Sequence, residues 1–224
     1  MENASGVALR NHLKACMELP RRGIPFAEAI FALTGCRVIP FDGTAAQDQD
    51  LLARLVEAAE TARREAAQNG IAAARPNEAG NKIEPFVLSA LERSGLRAGR
   101  PVSRSGSGKT AGYPDLEVAD AQGRAVYVDC KTYSQETHDQ TFRSFYLSLT
   151  DDPKITKDAL HIIFGFELEK TQRASQNAFV PQAWTIWSLD ALSLQLKYEF
   201  NASNRDLYAK QSLLADRSGV TRKS

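Results

Sequence analysis

Residues 112–133 read GYPDLEVADAQGRAVYVDCKTY. Asp120-Ala-Gln-Gly123 is a turn sequence set between two β-forming runs, so the segment predicts a hairpin whose first arm starts near Asp115. Side chains alternate along a strand. Asp129, Lys131 and Tyr133 therefore share one face of the second arm, and Val128, Cys130 and Thr132 share the other. With Asp115 brought alongside, two carboxylates and one ammonium converge on a small volume. Mg²⁺ takes few protein oxygens and keeps several waters, so two rigidly held carboxylates suit it. The metal would polarise a phosphodiester and lower the pKa of a bound water, and Lys131 would orient that water or offset developing charge. The residues point to phosphodiester hydrolysis. Read plainly, Asp129 and Lys131 would be an exposed cross-strand pair and Pro114-Asp115 a turn.

Outward from the hairpin, the chain changes texture near residue 75. Residues 1–75 read as a helical N-terminal region for packing or dimerisation. Val7 to Leu19 and Phe26 to Leu33 carry apolar residues at helical spacing, and Asp48 to Gln68 is rich in Ala, Leu, Glu and Arg. Leu51, Leu52, Leu55, Ala58, Ala59 and Ala62 make one stripe on that third helix, fit for a core or a second copy of the chain. Residues 76–224 read as the catalytic core. A helix over Ile83 to Arg93 ends at Gly95, with Pro85 best placed in its first turn. Strands are expected at Val102, Tyr113 to Val118, Ala125 to Tyr133, Leu160 to Phe166 and Ala183 to Trp187, then a helix over Leu189 to Tyr198. This order predicts an α/β fold with a mixed central sheet flanked by helices.

The bulk numbers constrain less. Lys and Arg total 28 against 27 Asp and Glu, a net charge of +1, so no global basic field announces nucleic acid. Placement is more informative. Arg97, Arg100, Arg104 and Lys109 lie on a Ser/Gly-rich stretch without an acidic residue, just before the hairpin, and could follow a phosphate backbone. Ser107-Gly-Lys-Thr110 imitates a phosphate loop, but position 103 is Ser where the motif needs Gly and no helix follows, so no nucleotide cofactor is expected. Base readout needs polar side chains on elements that enter a groove. Gln135, His138 and Gln140 qualify directly after the second arm, and Asn201, Asn204 and Arg205 near the end of the chain; both stretches could equally be polar loops. His12 and His161 read as structural, and Trp184 and Trp187 as core or interface aromatics.

Three widely spaced cysteines, Cys16, Cys36 and Cys130, form no CxxC pair and suggest a reduced, cytoplasmic protein. No stretch approaches the roughly 20 apolar residues of a membrane span, and the Asn201-Ala-Ser203 sequon is read as chance.

Pro114-Asp115 followed by Asp129-Cys130-Lys131 resembles the PD-(D/E)xK nuclease superfamily. The wording YPD with DCKTY is similar to type II restriction endonucleases of the EcoRV and HincII kind. The resemblance covers about Glu84 to Leu149. It implies a restriction-endonuclease-like core and a catalytic trio of Asp115, Asp129 and Lys131, with Asp115 and Asp129 on Mg²⁺. It implies Glu84, on the preceding helix beside an apolar stripe, as an accessory carboxylate, and a homodimer cutting both strands of double-stranded DNA at a palindromic site. Two departures are Cys130, where an aliphatic residue is usual, and Glu117, which shares the face of Asp115 and reads as structural or as an extra ligand. A structure-specific nuclease would use the same site, although resolvases tend to be shorter and more basic. A non-catalytic DNA-binding protein would keep the acidic cluster for structure alone.

Overall fold

The computed structural model describes residues 7, 8, 11, 14, 15, 23–74, 76–108, 112–134, 147, 150–173, 176–195 and 203. The chain divides into two units, Met1–Gly23 with Gln195–Ser224, and Ile24–Leu194. In the first, Val7, Ala8, Asn11, Lys14 and Ala15 are helical, within the expected first helix. The second carries the hairpin and every element named below.

It opens with β1 (Ile24–Pro25) and α1 (Phe26–Thr34), followed by α2 (Ala46–Asn69), β2 (Ile71–Ala72) and α3 (Pro76–Arg93). Then come β3 (Arg97–Gly99), β4 (Leu116–Ala119), β5 (Ala125–Tyr133), β6 (Ala159–Arg173), β7 (Gln176–Ser188) and β8 (Ser193–Leu194). Six strands form one sheet in the order β2-β7-β6-β5-β4-β3, and β1 pairs with β8 apart from it. Within the six, β5 and β6 run parallel and the other pairs antiparallel. The sheet is mixed and flanked by helices, as the sequence predicts.

Hydrophobic period fixes which side of the sheet the helices cover. Leu51, Leu55, Ala58, Ala59 and Ala62 of α2 and Ile83, Val87, Ala90 and Leu91 of α3 are buried in one cluster with Val126, Val128 and Cys130 of β5 and Leu160, Ile162, Phe164 and Phe166 of β6. Each large aliphatic in it contributes about 1.5–3 kcal/mol by leaving water. The stripe on α2 is thus spent inside this unit, and only Leu52 and Val56 remain exposed. α2, from before residue 75, and α3, from after it, share that core. The other face of the sheet holds a second cluster of Phe26, Ile30, Tyr113, Tyr127, Ile163 and Leu189.

Three details differ from the sequence reading. Helix α3 starts at Pro76, so Pro85 lies in its interior. Pro85 and Asn81 are both exposed, so the carbonyl that Pro85 cannot bond faces water, which keeps the loss small. Val102 is not in a strand; β3 lies earlier, at Arg97–Gly99. The helix expected over Leu189 to Tyr198 is a turn and the short β8 in its described part. Leu192 N–H donates to Leu189 O, and Leu194 pairs with Ile24. Leu189 and Leu192 stand three apart, as on a helix face, but they pack with Leu194 in the second cluster of Phe26 and Ile30. Gly95 does end α3 with φ +80°, and a Cβ there would lie 2.8 Å from Arg54 Nη1.

The hairpin is tied to α2 by one arginine. Arg124 Nε donates to Asp120 Oδ2 at 2.6 Å, its Nη1 to Asp48 Oδ1 at 2.5 Å and its Nη2 to Gln47 O at 3.2 Å. Both carboxylates are buried. Removing the cation leaves two uncompensated buried charges, so Arg124→Gln should cost on the order of 3 kcal/mol. Urea denaturation at neutral pH measures this, and a loss below about 1 kcal/mol, the value of a surface pair, would refute the tie.

Candidate active site

The end of β4 sets the site. β4 starts at Leu116 and pairs with β5 over Ala125–Val128, so it leaves the rest of β5 without that neighbour. Into the gap comes Asp115. Its N–H donates to Val128 O at 3.2 Å, and its Oδ2 accepts the Cys130 N–H at 2.8 Å. A side-chain carboxylate thereby serves a backbone donor that a longer β4 would have served.

Asp129 is only 2% exposed. It ion-pairs with Lys131 Nζ, as two residues apart on one strand face can. Its Oδ2 is buried and, beyond that pair, has no acceptable hydrogen bond. Burial pushes the Asp129 carboxyl up to about 6; Lys131 pulls against this, and the neighbouring Asp115 adds to it through charge and a direct carboxyl contact. Two carboxyls in such contact need a proton or a cation between them.

Helix α3 brings Glu84 to the same place. Gly80, one turn earlier, makes the approach possible, since a Cβ there would lie 3.1 Å from Thr132 Oγ1 of β5. Burial raises the Glu84 carboxyl, and the charge of Asp115 raises it further. Arg100 stands 3.9 Å from Glu84 Oε2 and acts in the opposite sense. Asp115, Asp129, Lys131 and Glu84, separated by up to 47 positions in sequence, thus form one electrostatic cluster with Arg100 at its rim.

Other expected residues go elsewhere. Glu117 bonds Lys157 Nζ at 2.6 Å. Arg97 is exposed on β3, and Arg104 donates to Thr34 O at 2.8 Å, at the end of α1. Lys109, Gln135, His138, Gln140, Asn201, Asn204 and Arg205 lie outside the described residues. Cys130 fills its inward position in the helix-facing core, where burial pushes its thiol up. Just before the sequence that imitates a phosphate loop, Ser103 and Ser105 are tied to Asp152, which accepts from Ser103 Oγ, Ser105 N and Ser105 Oγ.

Sequence reasoning missed Lys154. It is 6% exposed and donates to Gly112 O at 2.5 Å and Pro114 O at 2.9 Å, directly behind Asp115. Nothing in Asp-Asp-Pro-Lys marks it, because the sequence there reads as an ordinary polar loop. Tyr113 was also missed. Its OH and His161 Nδ1 share a 2.7 Å hydrogen bond in the second cluster, which anchors the turn from below.

Among the described residues, no group of three or more His, Cys, Asp or Glu side chains could hold a metal by itself, and none of their helices is long and apolar enough to cross a membrane. Mg²⁺ asks for one or two carboxylates and completes its octahedron with water and substrate. The touching carboxyls of Asp115 and Asp129, with a buried oxygen short of partners, fit that requirement.

Two buried groups give the metal-free protein opposing pH responses. Asp129 titrates higher in the folded state than in the unfolded, so it favours folding below about pH 4 and loses that contribution as pH rises through about 6. Burial lowers His161 to about 4, so the unfolded chain takes up its proton first and stability falls as pH drops from about 6.5 towards 4. In denaturation scans with chelator between pH 4 and 7, Asp129→Asn should gain stability with rising pH relative to the native chain. His161→Gln should lose it. Parallel curves for all three proteins would contradict both assignments.

A family model described as the type II restriction enzyme MjaV family matches residues 19–211. The chain is similar to the type II restriction enzyme MjaV of Methanocaldococcus jannaschii, 32% identical in an alignment 213 residues long that covers 88% of this chain and 90% of that protein. Among solved structures it is similar to the tetrameric restriction endonuclease SfiI bound to cognate DNA, with a TM-score of 0.39 and 16% identity over 65% of this chain and 66% of that one. The first two matches each run through β5 and the carboxylates beside it. The chain belongs to the type II restriction enzyme MjaV family.

Proposed function

We propose that this chain hydrolyses both strands of double-stranded DNA at a short palindromic sequence, by Mg²⁺-dependent attack of water on the scissile phosphate. Family membership makes site-specific DNA cleavage the activity to be explained. The observation that carries the finer reading is the contact of the Asp115 and Asp129 carboxyls beside Lys131 on a rigid strand.

In this reading Asp115 and Asp129 hold the ion. When bound, Mg²⁺ supplies Lewis-acid polarisation of a phosphate oxygen and a water of lowered pKa. The chain does the rest by placement. Asp115 is fixed at both ends, through its own N–H and through the N–H of Cys130, so its carboxylate has little freedom to drift. Lys131 carries its ammonium on the face of Asp129, where it can donate to the attacking water or to a non-bridging phosphate oxygen and offset the charge that develops there. Glu84 adds a carboxylate whose proton affinity is already raised, suited to an accessory water. Arg100, half in solvent beside Glu84, is placed to meet the backbone on one side of the scissile group.

A palindrome read symmetrically needs two active sites related by a two-fold axis, so the working form is a homodimer. Leu52 and Val56 are exposed on α2 and available to such an interface. Base contacts fall to Gln135, His138, Gln140, Asn201, Asn204 and Arg205.

Unmethylated phage DNA incubated with the protein and Mg²⁺ should give discrete fragments, and chelation should abolish them. Asp115→Ala and Asp129→Ala should each lower the cleavage rate by about 10³-fold or more while leaving DNA binding in place. Fragments that persist in either variant would remove that residue from the chemistry. Intact DNA with the folded native protein would count against the Mg²⁺ mechanism.

A further inference from the structure

The segment Asp152-Pro-Lys154 lies between β5 and β6 and belongs to neither, yet it touches both loops that lead to the site. Asp152 accepts from Ser103 Oγ at 2.9 Å, Ser105 N at 2.7 Å and Ser105 Oγ at 2.9 Å. Pro153 O accepts from Arg104 N at 3.0 Å. Just beyond, Thr156 N donates to the Tyr127 hydroxyl at 2.9 Å, and Ile155 is buried in the second cluster. Lys154 is thus held on both sides before its own side chain is considered.

That side chain ends on two carbonyls, Gly112 O and Pro114 O, which bracket Tyr113. Asp115 follows immediately and lies outside any strand, since β4 begins one residue later. Its position therefore depends on the turn that precedes it. A buried ammonium is costly to desolvate, and a lysine is kept there only when something compensates. Burial pulls the Lys154 ammonium below its usual pKa, and the carboxylates of Asp115, Asp129 and Glu84 push back in favour of its charged form.

We propose that Lys154 is a positioning residue for the metal-binding carboxylates: its ammonium clamps the Gly112 and Pro114 carbonyls and thereby fixes the turn that delivers Asp115 to Asp129. This rests on the reading of Asp115 and Asp129 as the metal ligands. Lys154 touches no reacting atom in it and acts through Asp115. Groups that orient a ligand commonly govern metal affinity by about 10- to 100-fold.

Charge and geometry predict opposite signs, which makes the test decisive. Loss of a cation beside three carboxylates would by itself tighten binding of a divalent ion. Weaker binding therefore reports a displaced Asp115. Mn²⁺ alone is titrated calorimetrically into the native protein, Lys154→Met, Lys154→Gln and Asp115→Asn, with thermal denaturation to establish that each is folded. Lys154→Met should bind Mn²⁺ about 10-fold more weakly or worse. Lys154→Gln, which keeps an amide donor, should fall between it and the native protein, and both should bind DNA without metal as the native protein does. Native or tighter Mn²⁺ binding in a folded Lys154→Met overturns the proposal. If Lys154→Met does not fold, Lys154→Gln is judged by the same criterion. If neither folds, Lys154 is a strut for stability and the proposal fails. Native Mn²⁺ binding by Asp115→Asn instead overturns the ligand reading itself, and the role of Lys154 with it.

Discussion

Asp129 sits in the middle of a strand, on a sheet packed on both faces, with almost none of its surface in water. A carboxylate in such a place raises its own free energy when it ionises, and Asp115 beside it raises that energy further. The surroundings of Asp129 can be understood as answers to this cost. Lys131 provides charge from the same strand face, and Lys154 provides it from behind the neighbouring turn. The remainder is left standing as the raised proton affinity of Asp129, and groups perturbed by burial together with a specific charged neighbour cluster at functional sites.

What surrounds the cluster explains why it does not simply relax. On one side α3 comes close enough to β5 that a Cβ on Gly80 would lie 3.1 Å from Thr132 Oγ1. On the other, Tyr113 is buried against His161 at 5.9 Å with its ring nearly parallel, and Phe26 meets both rings edge-on. The turn before Asp115 is therefore held from below by an aromatic anchor and from behind by an ammonium. Arg124 fixes the far end of the same hairpin to α2. Displacing Asp115 from Asp129 would mean breaking one of these attachments, each of which buries polar groups that would be left unpaired.

Much of this was legible in the sequence, and the boundary of what was legible has a physical cause. β5 was found residue for residue, because period-2 alternation between Val126, Val128 and Cys130 on one side and Tyr127, Asp129 and Lys131 on the other is a local signal. The α2 stripe and the Gly95 stop are local too. Local rules failed where the outcome depends on distant partners. Leu189 and Leu192 stand at helical spacing, but with Leu194 they pack against Phe26 and Ile30, more than 150 positions earlier, in a turn and a short strand. Arg104 looked like a free cation on a basic loop, and the carbonyl of Thr34 claims it. Lys154 could not be read at all, since its meaning lies entirely in two carbonyls about 40 positions away.

The same distinction separates the two halves of the site's chemistry. Asp129 and Lys131 are related by strand geometry alone, so their pairing follows from almost any fold that makes residues 125–133 a β-strand. Asp115 and Glu84 are related to them by tertiary structure, through a turn and through a helix that crosses the strand at a glycine. In the proposed Mg²⁺ reading, where the ion needs near-ideal octahedral geometry, an error of position in the second pair matters more than one in the first. The contacts around them involve residues that no short catalytic motif contains: Gly80 where α3 faces β5, Tyr113 in the core and Lys154 behind the turn. A site of this kind is specified less by the carboxylates themselves than by the buried contacts that leave those residues one place to stand.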